Sequence, residues 1–208
     1  MGAPSASSAN RGPIATPRVT QDDRVLVALA RDGDRAAFDE LVRRHADGLY
    51  AVVARLCADR HEAEEVTQEA FLRAWRGLPA FRGDAQFFTW LYRIGVNEAR
   101  RRADGRRRRA DVVVSLDEQR EHASRDRSVQ PVDRAEHADL RRTLDAAIAA
   151  LPVDQRAALV LRDVEGLSTA QAAAVLGLRE AALKSRLHRA RELLRAGLAD
   201  HARRRGAS

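Results

Sequence analysis

The side chains with the most chemical capacity are gathered in one run, Phe81 to Arg102, reading FRGDAQFFTWLYRIGVNEARRR. It holds Phe81, Phe87, Phe88, Trp90 and Tyr92, five of the nine aromatic residues in the chain (five Phe, two Trp, two Tyr), interleaved with arginines. On a helix starting near Asp84, at about 100° per residue, Phe87, Leu91 and Ile94 share one face and suit a core. Trp90, Arg93, Asn97, Arg100 and Arg101 fall together on the adjoining flank. Such a strip suits splayed single-stranded bases: the ring stacks, the amide reads an edge and the guanidiniums hold phosphates. The same spacing also fits an ordinary core helix with snorkelling arginines, and both readings stand on pattern alone.

A second set lies near the C-terminus. Leu183, Leu187, Ala190 and Leu194 fall within about 60° of one another and must pack inward. Lys184, Ser185, His188, Arg191 and Arg195 point outward, with Arg189 at their edge. Cations for phosphates and short or forked polar groups for base edges are what a helix in the major groove requires. A solvated basic helix is the competing reading. A third set surrounds Leu72, which projects among Glu65, Gln68, Glu69 and Arg76, opposite a core stripe of Ala63, Val66, Ala70, Phe71 and Ala74. An apolar side chain ringed by carboxylates suits a protein partner and repels DNA, although a single exposed leucine is common on any surface.

Catalytic chemistry has no candidate. There is no glycine-rich phosphate loop, no HExxH and no GxSxG. The Asp32-Gly33-Asp34 turn lacks the later ligands of a calcium loop, and Arg43 stands where the closing glutamate would be. The six histidines are scattered without metal-ligand spacing. The single cysteine, Cys57, excludes an intrachain disulfide and a cysteine-rich zinc site; it reads as a small buried hydrophobe on a helix. No metal and no cofactor is expected.

The elements that would position these sets are helical. After Asp34, a candidate N-cap, Phe38, Leu41, Val42, Leu49, Val52, Val53 and Leu56 recur at helical spacing. A second helix runs from about Arg60 to Leu78 and ends at Pro79. Periodicity is lost from Ala103 to about Arg134. This stretch opens with Arg106 to Arg109 and then turns acidic, with seven Asp or Glu against four Arg between Ser115 and Asp139. It reads as a flexible linker in which Val112–Val114 could at most pair briefly as a strand. Helices resume near Asp133. Pro152 suits N1 of a helix striped by Val153, Ala157, Val160, Leu161 and Val164, which Gly166 ends. Ser168 with Gln171 makes a capping box, Gly177 breaks that helix after about two turns, and the last helix starts near Arg179. Two helices around a tight glycine turn make a helix-turn-helix.

Composition agrees with a soluble chain that binds a polyanion. The 208 residues suit one or two domains; 45% are hydrophobic, 32% charged, and the net charge is +7. Arginine supplies most of that charge, although a high-GC genome enriches the same residue type. No apolar run approaches bilayer length, and the first twenty residues lack a hydrophobic block, so no membrane insertion is expected and the location reads as cytoplasmic.

The motifs DGDRAAFDELVRRH, AEEVTQEAFLRAW, FRGDAQFFTWLYRIGVN, LPVDQRAALVLRDVEGLS and LKSRLHRAR stand in one order. In this the chain resembles a bacterial RNA polymerase sigma factor of the extracytoplasmic-function group, the compact members of the sigma-70 family. The resemblance implies an all-α fold with two small helical domains joined by a flexible linker, the C-terminal one a helix-turn-helix. The expected boundaries are a disordered tail at 1–20, a region 2 domain at 21–102, the linker at 103–137, a region 4 domain at 138–198 and a basic tail at 199–208.

By the same resemblance Glu65, Gln68, Glu69 and Leu72 meet the polymerase clamp helices. Phe81, Ile94 and Asn97 wall a pocket for a base flipped from the −10 strand. Lys184, Ser185, His188 and Arg189 match the −35 reading positions. The implied partners are core RNA polymerase, promoter DNA and an anti-sigma factor, with no obligate homo-oligomer. Three departures stand out: Glu65 replaces the usual Asp, a larger aliphatic is common at Ala172, and Arg179-Glu180-Ala181-Ala182 replaces a Ser-x-Gly-Thr start of the recognition helix. A homodimeric helix-turn-helix regulator is the alternative reading, and it leaves the aromatic strip without a role.

Overall fold

The structure, a computed structural model, describes residues 21–114 and 135–206, and every element among them is helical. The expected N-terminal tail, most of the acidic linker, and residues 207 and 208 lie outside the described residues. The first half holds α1 (Gln21–Arg31), α2 (Arg35–Ala54), α3 (Arg60–Gly77) and α4 (Phe87–Val114). The second holds α5 (Ala135–Ala149), α6 (Val153–Leu159), α7 (Thr169–Leu176) and α8 (Glu180–Gly206).

Local chemistry sets most of these boundaries. Asp34 caps α2 by accepting from the Ala36 and Ala37 amides, and Asp59 caps α3 by accepting from Glu62. Pro79 turns the end of α3 into a single 3-10 turn, Leu78–Ala80. The Ser168–Gln171 capping box forms in both directions, and Gly177 closes α7 in the left-handed region at φ 65°.

Several expectations need correction. The aromatic helix begins at Phe87, not near Asp84. Pro152 is the N-cap of α6, one position before N1. Val160–Val164 continue α6 as a π-turn, with Glu165 N donating to Val160 O. Cys57 is buried, but in the turn after α2 rather than on a helix. The largest difference is α4, which runs through residues expected to be linker. Ala103 to Val114 are helical, and Val112–Val114 form the end of that helix rather than a strand. Alanine and arginine are strong helix formers, and Arg106 reaches across to Glu62 on α3, so the run is held by a neighbour rather than by an apolar stripe.

Phe88, Leu91, Val96 and Ala99 on α4 are buried, as are Leu41, Leu49, Val52 and Val53 on α2. The crossing of these helices is tight: a Cβ at Gly95 would lie 2.8 Å from Leu49 Cδ1. The two halves pack together through α4 against α7 and α6, and their buried residues form one continuous core. Ala172 and Ala173 are buried on α7, where short side chains permit close approach. Ion pairs reinforce this contact. Arg55 bonds the buried Glu165 at 3.2 Å, and Arg100 pairs with Asp154. Burial holds the Glu165 carboxyl above its ordinary pKa, with Arg55 partly offsetting the shift.

Candidate nucleic-acid interface

The inner face of α4 belongs to the core, so its outer face is defined by elimination. Arg93, Asn97 and Arg101 are exposed, and Trp90, Ile94 and Arg100 are half-buried. Phe81 lies over Trp90, ring centroids 4.7 Å apart and 29° from parallel, and Phe87 meets Phe81 edge-on at 6.5 Å. Rings, amide and guanidiniums therefore share one surface, with Asn97 beyond the aromatic stack. Ile94 is packed more lightly than a core position requires.

The concavity beside Phe81 is walled differently from the sequence expectation. It has a volume of about 500 Å3 and is lined by Phe81, Phe87, the Arg82–Gln86 loop and Asp23, Arg24 and Val27 of α1. Ile94 and Asn97 are not among its walls. Beneath it, Asp23 accepts from Arg44 at 3.1 Å and pairs with His45 Nε2 at 2.8 Å, both Asp23 and His45 being buried. Sequence reasoning missed these α1 contributions, because Asp23 and His45 are 22 positions apart and carry no local signature.

Two of the strip's cations lie against the second half, Arg93 while still exposed and Arg100 half-buried. Arg100 is paired with Asp154, and Arg93 lies against Gly177: a Cβ there would sit 3.2 Å from its Nη2. The C-terminal carbonyls of α7 favour a cation at that place. Arg101 is held by Glu98 at 2.7 Å. Glu98 is buried, which alone would raise its pKa, but hydrogen bonds and charge from Arg101, Arg73 and Arg102 hold it below the ordinary carboxylate range.

On α8, Leu183, Leu187 and Ala190 are buried, while Lys184, Ser185, His188 and Arg189 are exposed as a group. Arg191, expected among the outward cations, is exposed as well, and it grips Asp163 through two bonds of 2.9 and 2.8 Å. It ties the helix to the π-turn. The departure at the start of α8 leaves Arg179 as its cap, whose carbonyl accepts from Leu183, with Glu180 in the first turn.

On α3, Leu72 is 44% exposed, and Glu65 and Gln68 are exposed beside it. Glu69 bonds Arg73, and Glu65 bonds Arg102. Leu72 borders an apolar groove of about 430 Å3 whose walls include Phe38, Val42, Phe71 and Trp75. The Phe38–Trp75 ring contact at 4.9 Å builds it. The sequence assigned Phe38 and Phe71 wholly to the core and left the groove unseen.

Residues 41–109 match the family profile of Sigma-70 region 2, and residues 141–194 match that of Sigma-70, region 4. The chain belongs to the sigma-70 family. It is similar to the RNA polymerase sigma-H factor of Pseudomonas aeruginosa, 38% identical over 84% of this chain and 92% of that protein. It is also similar to the ECF RNA polymerase sigma-E factor of Escherichia coli, 35% identical over 83% and 92%. Among solved structures, CnrH bound to the cytosolic domain of CnrY aligns with TM-score 0.63 and 30% identity, covering 86% of this chain and 99% of that one. The sigma factor RpoE bound to the anti-sigma factor NepR from Bartonella quintana aligns with TM-score 0.59 and 25% identity, covering 78% and 96%. These relatives identify an extracytoplasmic-function sigma factor, a transcription initiation factor of a non-catalytic family. The match of both halves sets aside the homodimeric regulator. Among the described residues, no helix of this sigma factor is long and apolar enough to cross a membrane, and no cluster of His, Cys, Asp or Glu could hold a metal ion.

Proposed function

We propose that this chain loads onto core RNA polymerase through Glu65, Gln68, Glu69 and Leu72 on α3. In this reading it recognises duplex −35 DNA with Lys184, Ser185, His188 and Arg189, and holds the melted −10 strand on Phe81, Trp90, Arg93, Ile94, Asn97, Arg100 and Arg101. It works in the cytoplasm, performs no covalent chemistry itself and leaves RNA synthesis to the polymerase. An anti-sigma factor is the regulatory partner, as for the relative whose structure holds NepR.

The observation that carries this reading is the exposed position of Asn97, beyond the Phe81–Trp90 stack and between Arg93 and Arg101 on the outward side of α4. An amide so placed can hydrogen-bond the edge of a base that has left its stack. Unstacking costs a few kcal/mol, and losing the edge contact leaves that cost without compensation.

Asn97→Ala should leave polymerase binding and closed-complex formation nearly intact while open-complex formation drops sharply. A template already mismatched across the −10 bubble should recover part of the loss. Run-off transcription on duplex and pre-melted templates at matched occupancy measures both. Equal defects on the two templates would mean that Asn97 supports the fold and reads nothing.

A further inference from the structure

The sequence holds 37 lysines and arginines, and one of them is a lysine, Lys184. It stands exposed on the outward face of α8, and no described residue forms an ion pair with it. Its basic neighbours on that helix are committed. Arg186 lies 3.6 Å from Asp154, Arg191 grips Asp163, and His188 meets Glu192. A guanidinium stays protonated, whereas an ammonium can give up a proton and become a nucleophile. The chain therefore offers an electrophile one side-chain amine, and that amine lies among the proposed −35 residues.

Lys184, His188 and Glu192 follow one another at i, i+4 and i+8. This spacing makes neighbours on a helix surface, with Cβ atoms about 5–6 Å apart at each step. His188 Nε2 lies 3.2 Å from Glu192 Oε1. An ionised carboxylate only accepts, so Nε2 carries the hydrogen and the neutral ring keeps its lone pair on Nδ1. No described residue bonds Nδ1. Side chains on a helix lean toward its N-terminus, which carries the imidazole over the turn that holds Lys184. A carboxylate that orients an imidazole, with the imidazole one turn from a nucleophile, is an arrangement that activates the nucleophile.

We propose that Lys184 is an acylation site with His188 as its base, at which an activated acyl donor, a thioester or an acyl phosphate, switches off −35 recognition. This rests on the reading of Lys184 as a −35 contact. Lys184 Nζ gives its ammonium proton to His188 Nδ1, and its lone pair forms the bond to the acyl carbon. The carbon–sulfur or carbon–oxygen bond of the donor breaks. Thiolate or phosphate leaves with the electron pair, and the second proton of the amine passes to it or to water. The product is a neutral amide, without the charge that meets phosphate or the three donors of the ammonium.

The full chain is incubated with acetyl phosphate in one arm and acetyl-coenzyme A in the other, freed of donor, and assembled with untreated core polymerase. Peptide mass spectrometry should place an acetyl group on Lys184 in at least one arm, and the arm that works identifies the donor class. H188Q and E192Q should acquire it several-fold more slowly. Acetylated holoenzyme should bind a −35 duplex roughly tenfold more weakly, with a salt slope smaller by about one. K184R, which cannot be acylated at this position, should show the same affinity before and after treatment.

No acetyl group on Lys184 in either arm would remove the site. Equal rates in wild type, H188Q and E192Q would overturn the assignment of the base, and acetylated holoenzyme with full −35 affinity would overturn the switch. Untreated wild-type holoenzyme without preference for the −35 duplex would instead sink the −35 reading itself, a result distinct from these because the acetylation map is read separately.

Discussion

His45 illustrates how much a single side chain can carry without declaring itself in sequence. Its ring is buried, packs on Phe87 at 5.5 Å and joins Asp23 through Nε2, while Nδ1 is buried without a partner among the described residues. Burial lowers its pKa below the ordinary 6.5, with Asp23 opposing and Arg44 adding to the shift. A depressed pKa means that the unfolded chain binds the proton more readily, so the stability it contributes is present above about pH 6.5 and is lost below it. The melting temperature should accordingly fall between pH 7.5 and 5.5, and His45→Gln should flatten that part of the profile; a wild-type profile that is already flat would remove the claim. Arg189 is the complementary exposed case. Arg189→Ala should cost roughly 1–3 kcal/mol with relaxed preference at one −35 position if it reads a base. If it meets only phosphate, fluorescence anisotropy should show an even loss on all sequences and a salt slope smaller by about one. No loss of either kind would mean that this α8 face is turned away from DNA. Exposed residues such as Arg189 were legible because the face of an amphipathic helix follows from spacing alone. Asp23–His45 was not, because that pairing depends on how α1 crosses α2.

At the scale of elements, the sequence located helices well and their ends less well. Caps with a specific chemistry, Asp34, Ser168 with Gln171 and Gly177, stand where they were expected. The errors concentrate where tertiary contact overrides the local signal. The tail of α4 has no apolar stripe, so periodicity ends at Arg102, yet Arg102 and Arg106 bridge to α3 and the helix continues. The same limit hid the groove beside Leu72, which exists only because Phe38 of α2 meets Trp75 of α3. That groove gives α3 an open apolar border beside Leu72, where the proposed polymerase contact would sit. Leu72→Arg would put a cation at an apolar contact and should weaken core-polymerase affinity by at least about 2 kcal/mol if the leucine is a hot spot. Duplex −35 binding should be unaffected. Unchanged affinity in a pull-down titration would dissociate the groove from polymerase.

For the whole molecule, composition and motif order indicated two helical halves but nothing about their mutual packing. The structure brings them together through α4, α6 and α7, with Arg55–Glu165 and Arg100–Asp154 across the junction. No sequence signal could pair residues 110 positions apart. Asp154→Arg would set a third cation beside Arg100 and Arg186 and should loosen the junction, raising the radius of gyration in small-angle scattering without loss of helical circular dichroism. An unchanged radius would show that apolar packing alone holds the halves. Glu165 acts in the opposite sense to His45: its raised pKa favours the packed form as pH falls. The placement of Arg93 and Arg100 also bears on ion counting. Cations waiting in solvent release condensed ions from DNA at roughly 0.9 per phosphate neutralised. Here Arg100 already has an internal counter-charge and Arg93 rests on the end of α7, so in the proposed −10 role phosphate would have to replace one set of partners with another. Added salt screens both sets. The free chain should therefore report fewer released ions than the arginines that finally touch phosphate.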